Sequence, residues 1–216
     1  RKKRYSFYEE LLKKYNSHNL LLAHHGDDLI ETVIMKIISG IYKGRNLEGH
    51  NLDGTTPTME RIKESLFAII QSNIKDSIVL DLFSGSGNLG IEALSQGAKF
   101  SYLVDANYKA TSVIKNNIAK IGISSCEILT MDYKKALEYL FNKNIKLDLI
   151  FLDPPYSTNY IEQSIKLIEQ YDLLNDKGLI ICENDNLDKI VYSNNFKMIK
   201  DKKYGDKWVV VLQKMC

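Results

Sequence analysis

The sequence has few cysteines, little net charge and no long apolar run. Its three cysteines, Cys126, Cys182 and Cys216, are widely spaced and follow no metal-ligand pattern, so we expect free thiols in a reducing compartment and no metal site. A net charge of only +2 argues against a dedicated non-specific DNA binder. No run approaches the ~20 apolar residues of a membrane helix, and the N-terminus lacks a signal peptide's apolar core. We therefore expect a cytoplasmic protein.

Apolar and charged side chains are plentiful, at 44% and 26% of the 216 residues, which is the composition of a soluble globular protein. Met35 opens a run that is typical of a natural start. We therefore divide the chain into a helical N-terminal extension, residues 1–34, and one domain of ordinary size, residues 35–216. Apolar spacing predicts helix before Met35, and a second helical stretch is expected to run toward Ile38.

From Pro57 onward, helical and strand patterns alternate. After a helix that begins at Pro57, the predicted strands are residues 78–83, 100–105, 127–131, 147–152, 178–183, 196–200 and 208–213. The predicted helices between them are residues 89–97, 108–121, 133–141 and 160–171. Short apolar strands joined by helices predict a Rossmann-like α/β fold. We expect seven strands, mostly parallel, with an antiparallel hairpin at the end and helices on both faces.

A glycine-rich loop follows the first strand of this series. Residues 81–90 read DLFSGSGNLG and contain Gly85-x-Gly87-x-x-Gly90, a spacing that several nucleotide cofactors share. Asp81 ends the strand at the place where the pyrophosphate of a dinucleotide would approach. Two like charges a few ångströms apart there would repel each other strongly. A carboxylate at this position favours a cationic cofactor such as S-adenosylmethionine.

Acidic residues also end the next two strands. Asp105 is placed to accept hydrogen bonds from ribose hydroxyls, and Asp132 to accept one from an adenine amino group. Met131 and Tyr133 offer flat contacts on either side of Asp132, and Phe83 completes the predicted cofactor site. The alternative is that each aspartate only caps the helix that follows it.

Residues 149–156, LIFLDPPY, are an apolar strand that runs into a rigid polar loop. Pro154 and Pro155 fix the backbone and remove two N–H donors, so the loop presents the Asp153 carboxylate and carbonyl oxygens. These acceptors suit an exocyclic base amine, because accepting its two hydrogens turns its lone pair toward a methyl donor. Tyr156 can stack on a base that is flipped out or single-stranded. The alternative is a proline-stiffened turn after a core strand.

This arrangement resembles the class I methyltransferases that act on amines, and the flanking motifs resemble one family of them, the RsmD-type 16S rRNA (guanine-N2) methyltransferases. The resemblance is carried, in order, by residues 35–47 (MKIISGIYKGRNL), 56–67 (TPTMERIKESLF), 81–90, 151–156 and 203–206. It implies methyl transfer from S-adenosylmethionine to N2 of a guanine in 16S rRNA or the small ribosomal subunit. We expect a monomer with no membrane partner.

Basic residues near the start of this domain are candidates for RNA contact. Lys43 and Arg45 precede the first helix, and Arg61 and Lys63 lie within it. Each could contact a phosphate or belong to a solvated face. The family commonly has arginine where this chain has Thr56, so a role of that arginine would pass to Arg61 or Arg45, or be lost.

The N-terminal residues 1–38 resemble a fragment of a different family, the tRNA lysidine synthetases. The resemblance is carried by residues 22–28 (LAHHGDD) and by Arg4-Tyr5-x-Phe7. The phosphate-binding loop of those enzymes is absent from the sequence, so we expect no lysidine synthesis. A displaced fragment or fusion junction is favoured over a metal site for the His/Asp cluster.

Other functions remain open on the sequence alone. An Asp-Pro-Pro-Tyr loop serves any exocyclic amine, so an adenine-N6 or cytosine-N4 methyltransferase is the nearest alternative. Such enzymes usually carry a separate target-recognition domain, for which this chain has no room. A catalytically idle RNA-binding protein is a further alternative, which the acids at all the strand ends argue against. An NAD enzyme is disfavoured by Asp81.

Overall fold

The computed structural model describes residues 34–49, 57–155 and 158–215. Two short strands, β1 (Ile34–Lys36) and β2 (Asn46–Glu48), pair antiparallel. The sequence-based expectation of a helix running toward Ile38 is therefore wrong at its end. Met35 and Ile37 are buried while Lys36 between them is exposed, and this period of two belongs to a strand.

Helices and strands alternate through most of the remaining described chain. The helices are α1 (Pro57–Ile74), α2 (Asn88–Ser95), α3 (Tyr108–Ile121), α4 (Tyr133–Asn142) and α5 (Tyr160–Gln170). The strands are β3 (Ile78–Asp81), β4 (Phe100–Asp105), β5 (Cys126–Thr130), β6 (Leu147–Leu152), β7 (Leu174–Asn184), β8 (Phe196–Tyr204) and β9 (Lys207–Lys214). A short 3₁₀ turn, Leu187–Lys189, follows β7.

The seven strands β3 to β9 form one sheet in the order β5-β4-β3-β6-β7-β9-β8. The first five strands of this order are parallel, and β9 pairs antiparallel with both β7 and β8. The predicted mostly parallel sheet with an antiparallel end is confirmed. β8 is longer than predicted, because an edge strand tolerates exposed lysines where a central strand would need apolar residues.

Helices cover both faces of this sheet, as its apolar strands require. Alternate strand residues divide between two cores, so that Val79 joins one and Leu80 the other. The first core is completed by α1, α2, α3 and the β1–β2 pair, and the second by α4 and α5. Among the described residues, no helix is both long and apolar enough to cross a membrane.

The topology brings the polar strand ends together. The chain builds β3, β4 and β5 outward in one direction and then crosses back to place β6 on the other side of β3. The carboxyl ends of parallel strands meet at one edge, and a crevice forms where the strand order reverses. Asp81 at the end of β3 is in register with Phe151 of β6, so the glycine loop and the Asp153 loop flank that crevice.

Candidate active site

A cleft of about 660 Å³ opens at the carboxyl edge of the sheet. All the predicted cofactor residues except Gly87 and Met131 line it. The described part of the predicted catalytic loop, Asp153, Pro154 and Pro155, lines the same cleft. Tyr156 lies outside the described residues. Residues predicted for the cofactor and for catalysis, 20 or more positions apart in sequence, are thus brought to one site.

The glycine loop shapes the cofactor half of the cleft. Gly87 has a positive φ of 82° just before α2, a conformation that favours glycine. At Gly90, a Cβ atom would lie 2.2 Å from the Leu103 side chain, so only glycine lets α2 pack this closely on β4. The N–H of Gly90 donates to Oδ2 of Asp81 at 2.9 Å. Loop, helix and strand end are therefore held as one rigid unit.

Asp81 is nearly enclosed, with 3% of its surface exposed. Burial raises the pKa of its carboxyl to about 7; the hydrogen bond from Gly90 opposes this rise and the charge of Asp105 adds to it. An acid in this state is ready to become fully ionised when a cation arrives. This environment agrees with the argument that a cationic ligand, rather than a phosphate, belongs here.

Asp105 and Asp132 are also held by backbone N–H groups. Asp105 accepts from Gly85 at 2.9 Å with one oxygen and from Asn107 at 2.8 Å with the other. Asp132 accepts from Lys134 at 2.9 Å and caps α4, so the helix-capping alternative describes this residue correctly. Both also line the cleft, and carboxylate oxygens that accept one bond can accept another. Capping and ligand binding are thus compatible.

Three aromatic rings form one wall of the cleft. Phe83 lies 5.6 Å from Tyr133 and 6.0 Å from Tyr160, centroid to centroid, and the two tyrosines are 4.9 Å apart. Tyr160 was not predicted as a site residue, because in sequence it only begins a helix. Met131 instead packs against the second core beneath this wall. Such a wall offers flat apolar surface to an aromatic ring.

Four charged side chains cross the cleft on one face of the sheet. In register, Asp81 is opposite Phe151, Phe151 opposite Ile181, and Glu183 opposite Val209. Because side chains alternate along strands, the residues two positions from Phe151, Ile181 and Val209 share the face of those core residues, and Asp81 lies on the same face. The charged side chains on this face are, from β3 to β9, Asp81, Asp153, Glu183 and Lys207.

The Asp153 carboxyl sits among these charges. Its pKa is raised well above the usual value by burial beneath the surrounding protein and by the charges of Glu183 and Asp81, against the opposing charge of Lys207. The side chain itself is exposed to the cleft, so water there offsets part of the rise. A base and a cofactor that displaced this water would restore the full rise in the pKa of Asp153. Lys207 Nζ lies 2.6 Å from Glu183 Oε1.

Comparison with known proteins places this site in a family. The family described as "Conserved hypothetical protein 95" matches residues 35–213. A ribosomal RNA small subunit methyltransferase D from Buchnera aphidicola subsp. Acyrthosiphon pisum is 36% identical over 166 residues, which are 77% of this chain and 86% of that protein. The chain belongs to the RsmD family of rRNA methyltransferases. The predicted resemblance over residues 35–216 is confirmed.

Solved structures show the same fold as this RsmD-family protein. The Escherichia coli protein yhhF superposes with a TM-score of 0.75 at 27% identity, covering 85% of this chain and 99% of that one. A Streptococcus mutans protein described as a SAM-dependent methyltransferase has a TM-score of 0.68 at 16% identity, covering 98% of this chain and 65% of that one. The fold is that of the class I methyltransferases.

Lys63 departs from the prediction that it contacts RNA phosphate. Only 4% of its surface is exposed, and its ammonium is 3.1 Å from the fully buried carboxylate of Glu92. It also donates to the carbonyl of Lys36 at 2.6 Å and to Oδ1 of Asn88 at 2.9 Å. All three donors of the ammonium are thus used inside this RsmD-family protein, and the prediction for Lys63 is wrong. Burial lowers the Lys63 pKa, an effect that Glu92 opposes.

The other predicted RNA contacts are exposed and lie outside the cleft. Lys43 is in the turn between β1 and β2, and Arg61 is on α1. Arg45 donates to the carbonyl of Ile121 at 2.8 Å. Thr56 and residues 1–33 of the lysidine-synthetase-like segment lie outside the described residues. Within the described part of the chain, no group of three or more His, Cys, Asp or Glu side chains could hold a metal ion.

Sequence reasoning missed Glu183 and Lys207. They end β7 and begin β9, 24 positions apart, and neither belongs to a recognisable motif. Glu183 did end a predicted strand, as Asp81 and Asp105 do. That shared position at the carboxyl edge was the one signal that could have found it.

Proposed function

We propose that this chain transfers a methyl group from S-adenosylmethionine to the exocyclic N2 amine of a guanine in small-subunit (16S) rRNA. The observation that carries the proposal is that the Asp153-Pro154-Pro155 loop and the acids at the ends of β3, β4 and β5 line one cleft. The loop supplies acceptors for an amine, and the strand ends supply a site for a cationic nucleoside. Family membership supports rRNA as the substrate.

The residues of the cofactor half fit the proposed cofactor. Asp105 can accept from ribose hydroxyls through the lone pairs that Gly85 and Asn107 leave available. The wall of Phe83, Tyr133 and Tyr160 offers flat surface for adenine, with Asp132 at its edge. Asp81 places negative charge toward the ammonium and sulfonium. When bound, S-adenosylmethionine supplies an electrophilic methyl group.

The chemistry assigned to the chain's own residues is positioning followed by proton acceptance. Asp153 and a loop carbonyl accept the two amine hydrogens, which turns the nitrogen lone pair toward the methyl group. The new N–C bond forms as the methyl–sulfur bond breaks, and the amine nitrogen becomes positively charged. Asp153 can then take one of its protons, because burial and its acidic neighbours favour the protonated carboxyl.

Contacts to the rest of the RNA are assigned to surface residues. Lys43, Arg45 and Arg61 are exposed and positively charged, which suits phosphate contact. Tyr156 follows directly on the catalytic loop and is the candidate to stack on the target base. Substitution of each basic residue by glutamine should reduce the salt dependence of RNA binding.

The test is transfer of a radiolabelled methyl group to naked small-subunit rRNA, to assembled small subunits and to duplex DNA, followed by identification of the labelled nucleoside. We expect N2-methylguanosine from one of the two RNA substrates and no label in DNA. N6-methyladenosine or N4-methylcytidine would contradict the choice of base, and label in DNA would contradict the choice of substrate. Boiled protein and protein without RNA serve as controls.

A further inference from the structure

Two charged side chains in the cleft make no contact with the base in the chemistry proposed above. Glu183 ends β7 and Lys207 begins β9, and Glu183 Oε1 and Lys207 Nζ lie 2.6 Å apart. Both line the cleft with Asp153. The last registered pair of β6 and β7 is Leu152 with Cys182, so Asp153 and Glu183 are the next residues on two adjacent strands. Adjacent strands are about 4.8 Å apart, which puts Glu183 beside the amine-binding group.

The bases that carry an exocyclic amine differ in the ring atom next to it. In guanine, the N2 amine is next to N1–H, a donor, and O6, an acceptor, lies beyond N1. In adenine and cytosine, the amine is next to an unprotonated ring nitrogen, which is an acceptor. A carboxylate beside the amine-binding group therefore attracts the edge of guanine and repels the edges of the other two bases.

We infer that Glu183 and Lys207 select guanine in this cleft: Glu183 accepts the N1–H of the base, and Lys207 donates to O6. The inference rests on the proposed function and adds the residues that choose the base. Asp153, Glu183 and Lys207 follow one another along the sheet edge in the order of N2, N1 and O6 along the Watson–Crick edge of guanine. A base flipped out of its helix is read along this edge.

The ion pair is compatible with both contacts to the base. A carboxylate has about four acceptor positions and an ammonium three donors, so each group can hold other partners besides the contact between the two. Their side chains are 16% and 28% exposed, so both are already largely desolvated before a base enters. Lys207 neutralises Glu183, and charge-assisted hydrogen bonds of this kind are stronger than neutral ones. The pair therefore offers a neutral base one strong acceptor beside one strong donor.

The first test changes the base and leaves the protein intact. In small-subunit rRNA, the methylated guanine is replaced by 2-aminopurine or 2,6-diaminopurine, which keep the amine but have an unprotonated N1 and no O6. We expect kcat/KM to fall about 10- to 100-fold, because hydrogen bonds to charged groups are lost. The loss should be larger for 2,6-diaminopurine, whose 6-amino group meets the Lys207 ammonium. Equal rates on guanine and both analogues would overturn the inference and leave the proposed function standing.

The second test changes the acceptor. In Glu183→Gln, the amide can offer its carbonyl oxygen to the N1–H of guanine or its N–H₂ group to an unprotonated N1, so guanine keeps only an uncharged acceptor and 2-aminopurine gains a donor. The ratio of kcat/KM for the two bases should narrow to about threefold or less. The matched control is Glu162→Gln, which breaks an ion pair with Lys166, also 2.6 Å long, outside the cleft. An unchanged ratio in Glu183→Gln, with S-adenosylmethionine binding intact by calorimetry, would overturn the role of Glu183.

The third test changes the donor. Lys207→Met should lower kcat/KM about 10-fold more for guanine than for 2-aminopurine, which has no O6, while any change that passes through the charge on Asp153 affects both bases alike. Equal losses on both bases would overturn the assignment of Lys207 to O6. Should either variant fail to fold, the base analogues still decide the question with the natural protein. Methylation of adenine or cytosine in natural rRNA would instead contradict the proposed function itself.

Discussion

The two halves of the cleft hold their acidic side chains in different ways. On the half formed by β3, β4 and β5, backbone N–H groups fix the carboxylates of Asp81, Asp105 and Asp132. On the half formed by β6, β7 and β9, Glu183 is paired with the ammonium of Lys207, and the charges of both act on Asp153. Positions on the first half are set by the backbone, whereas charge on the second half is set by neighbouring side chains.

This difference separates two tasks. A cofactor that is the same in every turnover is suited to a rigid site, and the glycine loop and helix caps supply one. The group that holds the amine must accept hydrogen bonds and then a proton, so its pKa has to respond to what lies beside it. Changes on the first half should therefore affect cofactor affinity, and changes on the second half should affect turnover and base choice.

The largest expected effect comes from the proposed catalytic carboxylate, Asp153. Asp153→Ala removes the amine acceptor and the proton acceptor together, so kcat should fall about 100- to 10,000-fold. The dissociation constant for S-adenosylmethionine, measured by calorimetry, should change about twofold at most, since no cofactor contact is assigned to Asp153. Asp185→Ala, an exposed acid outside the cleft, is the control. If the affinity for S-adenosylmethionine fell by the same factor as kcat, the division of cofactor binding and turnover between the two halves would be contradicted.

The next effect concerns the buried ion pair that holds α1 against α2 on the cofactor side of the cleft. Lys63 is on α1, and it holds Asn88 at the glycine loop while pairing with buried Glu92. Lys63→Met leaves Glu92 charged and unpaired in the interior, so the free energy of unfolding should fall by about 3–5 kcal/mol in urea titrations.

Two further variants test the cause of that loss. Replacing Lys63 and Glu92 together by methionine should recover part of the stability, because no buried charge is then left unpaired. The recovery is incomplete because the N–H groups of Ile38 and Ser39 lose the Glu92 carboxylate that accepts from them. The control Lys120→Met breaks an exposed pair with Glu48, 3.7 Å long, and should cost about 1 kcal/mol or less. A Lys63→Met protein as stable as this control would mean that the buried pair stabilises the fold no more than an exposed pair does.

A smaller effect is expected on the cofactor half. Asp105→Ala removes the proposed ribose acceptor and the partner of the Gly85 and Asn107 N–H groups. The dissociation constant for S-adenosylmethionine should rise about 10- to 100-fold. At saturating cofactor, kcat should stay within about threefold of the natural value, because the amine-binding half is unchanged. Unaltered cofactor affinity would count against the ribose role of Asp105.

The cofactor half and the core of the fold could be predicted because their signals are local. The predicted elements 100–105, 108–121 and 147–152 have the same bounds as β4, α3 and β6. The glycine loop and the strand-end acids are each contiguous with the strand that places them. S-adenosylmethionine, predicted from these acids, agrees with the family and the fold found by comparison.

Other features depend on contacts between segments that are distant in sequence, and these could not be predicted from a local pattern. Nothing local distinguishes Lys63, buried against Glu92, from the exposed Arg61 two residues earlier. The Glu183–Lys207 pair exists only because β9 returns antiparallel along β7. The predicted strand 196–200 stops short of the end of β8, because charged residues occupy most of the remaining positions. An edge strand is stabilised by backbone pairing more than by an apolar face.

The smallest expected effect is a pH dependence of cofactor binding that belongs to the first half alone. Burial raises the pKa of Asp81 to about 7, so below that pH its carboxyl is mostly protonated and loses its attraction for a cation. The dissociation constant for S-adenosylmethionine should thus be about 10-fold higher at pH 6 than at pH 8. In Asp81→Asn, binding should be weaker and independent of pH over this range, while the Gly90 hydrogen bond is kept by the amide oxygen. A pH dependence that persisted in Asp81→Asn would assign it to another group and leave Asp81 with the task of holding the glycine loop.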